Sequence, residues 1–170
     1  MRVALVNTNR IVPPVAPVGL EYVAEALRAS GHGVEILDLC WEERWEAAIG
    51  KFFRSGEFGL VGVSVRNTDD CAYATRESFL PGIAGMVRCI REQTDSPVVL
   101  GGVGFSIMPE AVLALCEADA GVWGEGEFAL AELADRLEKN RPWDDLPGIL
   151  VRRGEAVDRK STRLNSSHSS

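Results

Sequence analysis

The stretch VVLGGVGFSIMPEAVLALCEADAGVWGEGE, residues 98–127, decides the fold class. An apolar run, residues 97–100, stops at Gly101-Gly102, and a third glycine follows at Gly104. A helical pattern begins near Pro109, where proline's fixed φ and missing donor suit a first turn. A second apolar run, residues 120–124, ends in Gly124-Glu125-Gly126-Glu127. Beyond it, Leu130, Leu133, Ala134 and Leu137 form the stripe of a last long helix over 127–137. The stretch therefore reads as strand, helix, strand, helix, with glycines at the carboxyl end of each strand.

The same alternation runs upstream. Residues 3–7, VALVN, suit a buried strand, and Leu20, Val23, Ala24 and Leu27 recur at helical spacing after a proline-rich loop. Gly31 and Gly33 bracket the turn into a second strand over 34–39, and Trp41, Trp45, Ala48, Ile49 and Phe52 predict one face of a helix over 41–53. LVGVSV, residues 60–65, predicts a third strand, and a helix is expected from Phe79 to Gln93. Residues 148–157 carry a turn signal at Arg153-Gly154 and predict a terminal hairpin or edge strand. Alternating strands and helices imply right-handed crossovers, hence an α/β, doubly wound, flavodoxin-like or Rossmann-like five-stranded parallel sheet covered on both faces. Ligands of such sheets bind outside the carboxyl ends of the strands. The loops that matter follow Asn7, Leu39, Val65, Leu100 and Trp123.

With 170 residues and 46% hydrophobic content the chain can bury one ordinary core. The segment DRKSTRLNSSH, residues 158–168, resembles nothing upstream and reads as a translated sequencing adapter. We therefore expect one domain over 1–157 and a non-native, disordered tail over 158–170, with the native reading frame continuing into domains not present here. Asp158 against Arg159, Lys160 and Arg163 gives that tail a net charge of +2, which leaves −9 of the total −7 on residues 1–157. So acidic a surface argues against nucleic-acid and anionic-membrane partners. No apolar run of about 18 residues and no signal-peptide layout occurs, which places the protein in the cytoplasm. Cys40, Cys71, Cys89 and Cys116 are too scattered for a disulfide framework or a metal clip.

The loop after the first strand, NTNRIVPPVAP, is long and holds three prolines where a dinucleotide fold needs a tight glycine turn. The glycines lie instead after the fourth and fifth strands. There, bare backbone admits a bulky flat ligand, and helix amides can hydrogen-bond it. Two plainer readings stand beside this one: Gly101, Gly102 and Gly104 as a tight strand-to-helix turn, and Glu125 and Glu127 as charge complements to a helix dipole.

Taken together, APVGLEYVAEALRASGHGVEILDL, VGVSVRNTDDCAYATRESFLP, PVVLGGVGFSIMPEAVL and ADAGVWGEGEFALAEL resemble the N-terminal cobalamin-binding domain of B12-dependent radical S-adenosylmethionine enzymes. The resemblance covers nearly all of residues 1–157. It implies cobalamin bound with its dimethylbenzimidazole displaced from cobalt and inserted against the sheet. The matching positions are Asn7, then Ser64, Val65, Arg66 and Asn67, then Gly101, Gly102, Val103, Gly104 and Phe105, and finally Gly124, Glu125, Gly126 and Glu127.

Two departures refine that expectation. The D-x-H-x-x-G loop that supplies histidine to cobalt in other B12 proteins is missing. Only His32 and His168 exist, His32 being expected as a solvent-facing turn residue at the opposite pole. Arg66 leaves the third strand at the ligand edge; it either fills the space beneath cobalt, where a guanidinium cannot ligate, or pairs with Asp69 or Asp70. The C-x-x-x-C-x-x-C motif of a radical enzyme is also missing, so S-adenosylmethionine and the 4Fe-4S cluster are expected in a downstream radical domain, the natural partner of this one. This chain by itself is then a cofactor-binding module of a methyltransferase and not a catalyst. A free-standing flavodoxin-like or receiver-like domain is the alternative, opposed by Asn7 and Arg66 where a receiver places acids and by prolines where flavin phosphate would bind.

Overall fold

A computed structural model describes residues 1–70, 77–154 and 156–159. Seven strands form one sheet in the order β2-β1-β3-β4-β5-β6-β7. β1 (Arg2–Asn7), β2 (Gly33–Asp38), β3 (Leu60–Ser64), β4 (Val98–Gly101) and β5 (Ala120–Val122) are parallel. β6 (Ile149–Arg153) and β7 (Ala156–Arg159) add an antiparallel hairpin at the edge. The five parallel strands and the hairpin are as the sequence predicts. β7 runs through Asp158 and Arg159, two residues past the expected domain boundary at Val157.

Helices cover both faces, so the central strands are apolar on both sides instead of alternating. α1 (Val18–Ala29) and α6 (Glu127–Glu138) lie on one face, where Leu20, Ala24, Leu27, Leu130, Leu133 and Ala134 pack on Val3, Leu5, Leu60 and Val99. α2 (Trp45–Phe53), α3 (Leu80–Arg91) and α5 (Pro109–Cys116) cover the other, burying Ile49, Phe53, Val87, Ile90 and Leu113 against Val61, Val63 and Leu100. The order of the parallel strands reverses between β1 and β3, which is where a doubly wound sheet opens a crevice.

Three local expectations are corrected. The helix expected from Trp41 starts at Trp45, and Trp41 is 75% exposed. The Asp38 carboxylate accepts the Cys40 amide at 2.9 Å and the Glu42 amide bonds the Leu39 carbonyl, so turns hold the chain until Arg44. An extra short helix, α4 (Val103–Ile107), precedes α5. Its Phe105 is wholly buried, with a Cβ on Gly121 standing only 2.0 Å from the ring.

His32 is buried at 4% exposure and not solvent-facing. Its Nε2 lies 3.2 Å from Asp135 Oδ1, and its Nδ1 lies 3.2 Å from the Met1 ammonium, which itself pairs with Glu138. The chain's start and the end of α6 thus close over the imidazole. No helix among the described residues is long and apolar enough to cross a membrane.

Candidate functional site

At the carboxyl ends of β1, β3, β4 and β5, roofed by α1 and α6, lies a cleft of about 670 Å³. Its shape follows from strand register. Leu5, Gly62 and Val99 stand abreast on one face, and Asn7, Ser64 and Gly101 form the next rung toward the rim. Gly62, at the middle of this face, has no room for a side chain because Leu5 and Leu130 close over it: a Cβ there would be 2.7 Å from Leu5 Cδ2 and 3.3 Å from Leu130 Cδ2. Glycine inside a strand is otherwise costly, and such a position marks a close approach by another group. Leu20, Val23, Val122 and Leu130 complete an apolar floor and walls.

The rim is polar and glycine-bare. Gly101 and Gly124 have no atom within 4 Å of a would-be Cβ, so open space faces them. Gly102 and Gly104 serve a different purpose. Gly102 has φ +98°, and a Cβ on it would be 2.7 Å from the Val65 carbonyl oxygen; one on Gly104 would be 2.9 Å from the Arg66 carbonyl carbon. The Gly104 and Phe105 amides both donate to the Val65 carbonyl. The glycine cluster therefore divides: two positions let the chain press on the loop after β3, and Gly101 opens on the cleft.

Ser106 ties the two glycine clusters together. Its hydroxyl donates to the Gly102 carbonyl and accepts the Gly124 amide, both at 3.1 Å, while Trp123 Nε1 donates to the Ser106 carbonyl at 3.2 Å. Asn7 is 1% exposed; its Nδ2 donates to Asp38 and its Oδ1 accepts the Asn9 amide, so it organises the first loop. Thr8 Oγ1 donates to the Ser64 carbonyl at 2.7 Å, joining the loops after β1 and β3. α6 starts at Glu127, and its N-cap Gly126 has no side chain to bond it, leaving the first-turn amides for other partners.

Of the residues singled out in the sequence, Asn7, Ser64, Arg66, Gly101, Gly102, Val103, Gly124, Glu125, Gly126 and Glu127 line the cleft. Val65 and Phe105 are wholly buried beside it, and Asn67 and Gly104 belong to the packed junction of the two loops. Arg66 is exposed, and no ion pair with Asp69 or Asp70 is formed among the described residues. Leu5, Leu20, Val23, Gly62, Val99, Val122 and Leu130, the apolar depth, were not among the expected site residues, nor was Ser106. Gly62 alone carried a signal, as a glycine inside an apolar strand.

No cluster of potential metal ligands among the described residues adjoins the cleft. The one such group, His32, Asp135 and Glu138, sits at the opposite pole, and the Met1 ammonium already occupies it. Cys116 is buried in the far core, its thiol pushed up to about 11 by burial, Cys89 is shifted upward for the same first cause, and Cys71 lies outside the described residues.

Residues 4–134 match the family model described as B12 binding domain. A tryptophan 2-C-methyltransferase of Streptomyces laurentii is 40% identical over 155 residues, covering 89% of this chain and 26% of that protein. The radical S-adenosylmethionine methyltransferase TsrM of Kitasatospora setae, solved with tryptophan substrate and a SAM analogue, superposes with a TM-score of 0.90 at 36% identity, over 93% of this chain and 29% of its own. The same enzyme solved with cobalamin and a 4Fe-4S cluster gives a TM-score of 0.89, over 92% and 28%. The chain spans about a quarter of the length of these relatives.

Proposed function

The chain belongs to the B12 binding domain family, and on that premise we propose that it holds cobalamin with the lower base displaced from cobalt and with no histidine from the protein on the metal. The observation that carries this reading is the cleft roofed by α1 and α6, lined in its depth by Leu5, Gly62, Val99, Val122 and Leu130 and opening on glycine-bare backbone at Gly101 and Gly124. A cofactor with a flat apolar base on a polar nucleotide loop fits that gradient from floor to rim. The base is received by Leu5, Val99, Val122 and Leu130; the ribose and phosphate meet Ser64 and the uncapped amides of α6. Glu125 and Glu127 leave the phosphate to backbone donors, since carboxylates repel it.

Among the described residues no histidine serves cobalt from this face, since His32 is buried at the other pole; His168 lies outside them. Arg66 lines the cleft mouth with its guanidinium unpaired among the described residues. We place it beneath the metal, where it excludes other ligands and offers no lone pair. Bound cobalamin supplies a cobalt centre able to receive and pass on a methyl group. This chain's own residues bind it, orient it and keep nitrogen ligands away.

From the relatives we carry over a methyl-transfer role for a longer protein, with S-adenosylmethionine and the 4Fe-4S cluster held by a radical domain that is this module's partner. The test is direct. The 170-residue chain, incubated with hydroxocobalamin and desalted, should remain coloured with a base-off absorption spectrum. A colourless protein overturns the reading, and a spectrum of the nitrogen-ligated form overturns its histidine-free, base-off part.

A further inference from the structure

We infer that the cleft discriminates among corrinoids by their lower base, accepting a benzimidazole and rejecting a purine; this rests on the reading above, in which the nucleotide tail enters the cleft. The basis is the supply of hydrogen-bond partners at each depth. On the rung that forms the floor, Leu5, Gly62 and Val99 offer no polar side-chain atom, and their backbone groups belong to the parallel ladders of β1, β3 and β4. The walls, Leu20, Val122 and Leu130, add none.

Several polar groups nearer the rim are already engaged. The Asn7 amide is bound at both ends, Thr8 donates to Ser64, and Ser106 bridges Gly102 and Gly124. The Ser64 hydroxyl, one rung above Gly62, is the remaining polar side-chain group on the sheet face itself, with Arg66, Glu125, Glu127 and the α6 amides farther out at the mouth. A displaced benzimidazole has a single ring nitrogen to satisfy and is otherwise hydrocarbon. An adenine brings several ring nitrogens and an exocyclic amine, and all but one of these would be buried without a partner. A buried unpaired polar group weakens binding by roughly 5- to 150-fold, which matches the range over which apolar pockets reject more polar analogues. The two methyls of dimethylbenzimidazole favour it further, at roughly fourfold for each methyl buried.

The test compares methylcobalamin, its adenine-base analogue and methylcobinamide, which has no nucleotide, by calorimetric titration of the full chain. In solution the two bases bind cobalt with different strength, so each affinity is corrected by the base-on constant of the free corrinoid, measured by acid titration of its spectrum. After correction, methylcobalamin should bind roughly 10- to 100-fold more tightly than the adenine analogue, and cobinamide more weakly than methylcobalamin. Equal corrected affinities, or cobinamide as tight as methylcobalamin, overturn the discrimination while leaving corrinoid binding intact. No binding of methylcobalamin overturns the cobalamin reading itself. Val99→Thr places a hydroxyl on the floor and should shrink the corrected ratio about threefold or more. An unchanged ratio removes the floor as its origin, and being measured within one protein, the ratio is insensitive to any loss of folded fraction.

Discussion

Leu5 and Gly62 stand opposite one another on β1 and β3, and a methyl on Gly62 would lie 2.7 Å from Leu5 Cδ2. The leucine of one strand thus leans over the bare position of the next. Leu5 packs there because one strand residue has no side chain.

Gly62→Ala should therefore separate binding from folding. The added Cβ meets only the ends of Leu5 and Leu130, and Gly62 does not require the left-handed conformation. Overpacking costs about 1 kcal/mol or more, partly offset by about 0.4–1 kcal/mol from a less flexible unfolded chain. Thermal unfolding should shift by a few degrees at most, whereas hydroxocobalamin affinity, read by titration, should fall at least tenfold. Unchanged affinity would show that the ligand does not reach this depth.

Gly101 and Gly102 should behave differently despite being neighbours. Gly101→Val projects into open space at the rim and should keep the circular dichroism and melting temperature near wild type while abolishing cobalamin retention. Gly102→Val combines a φ of +98° with a Cβ 2.7 Å from the Val65 carbonyl and should destabilise the fold itself, by about 2 kcal/mol or more. A melting temperature lowered equally in both variants would contradict this division.

The sequence made this fold legible because each crossover repeats the same signal: an apolar run, a glycine or polar break, then a helical stripe. Strand order was not legible, because the flavodoxin-like and Rossmann-like classes order their strands differently. The start of α2 was not, because Trp41 continues the apolar spacing of Trp45 and Ile49, and only the Asp38 side chain on the Cys40 amide shows why the helix starts later. The rim of the cleft was visible as glycines and charges. Its floor was hidden, since Leu5, Val99, Val122 and Leu130 look like any core residues until strand register and the roof of α1 and α6 bring them to one cleft. His32 was misread because the residues that bury it, Met1, Asp135 and Glu138, come from the two far ends of the domain.

Ser106→Ala removes two hydrogen bonds that couple the loops after β4 and β5. At about 0.5–1.5 kcal/mol each, the net loss should be about 1–2 kcal/mol in denaturant unfolding. Amide exchange at Gly124 should also accelerate, because that N–H loses its acceptor. Protection unchanged at Gly124 would mean the bridge is replaced by water at no cost.

The cluster at the opposite pole should make stability acid-sensitive. Hydrogen bonding from Lys139 holds Asp135 below its ordinary value of 3.8, and bonding from the Met1 ammonium holds Glu138 below 4.5. For a carboxyl whose folded value is depressed, the contribution is present above the unfolded value and is lost as pH falls through the folded one. Stability measured by urea unfolding should therefore decline as pH drops from about 4.5, more gently for Glu138→Gln. Both carboxyls are solvent-accessible, so high salt should shrink the difference.

Arg66→His carries the most specific expectation. The side chain lines the cleft mouth, is exposed, and has no ion pair among the described residues, so its replacement should leave the unfolding midpoint nearly unchanged. What changes is chemistry: a guanidinium has no lone pair to give a metal, whereas a neutral imidazole has one. If Arg66 lies beneath cobalt, the variant reconstituted with hydroxocobalamin should absorb as a nitrogen-ligated corrinoid and revert to the base-off spectrum only in acid below the ordinary imidazole value of about 6.5, because cobalt competes with the proton for the lone pair. Arg66→Ala controls for space alone and should stay base-off throughout. A histidine variant that also stays base-off at neutral pH would move Arg66 from beneath the metal to the cleft's outer edge.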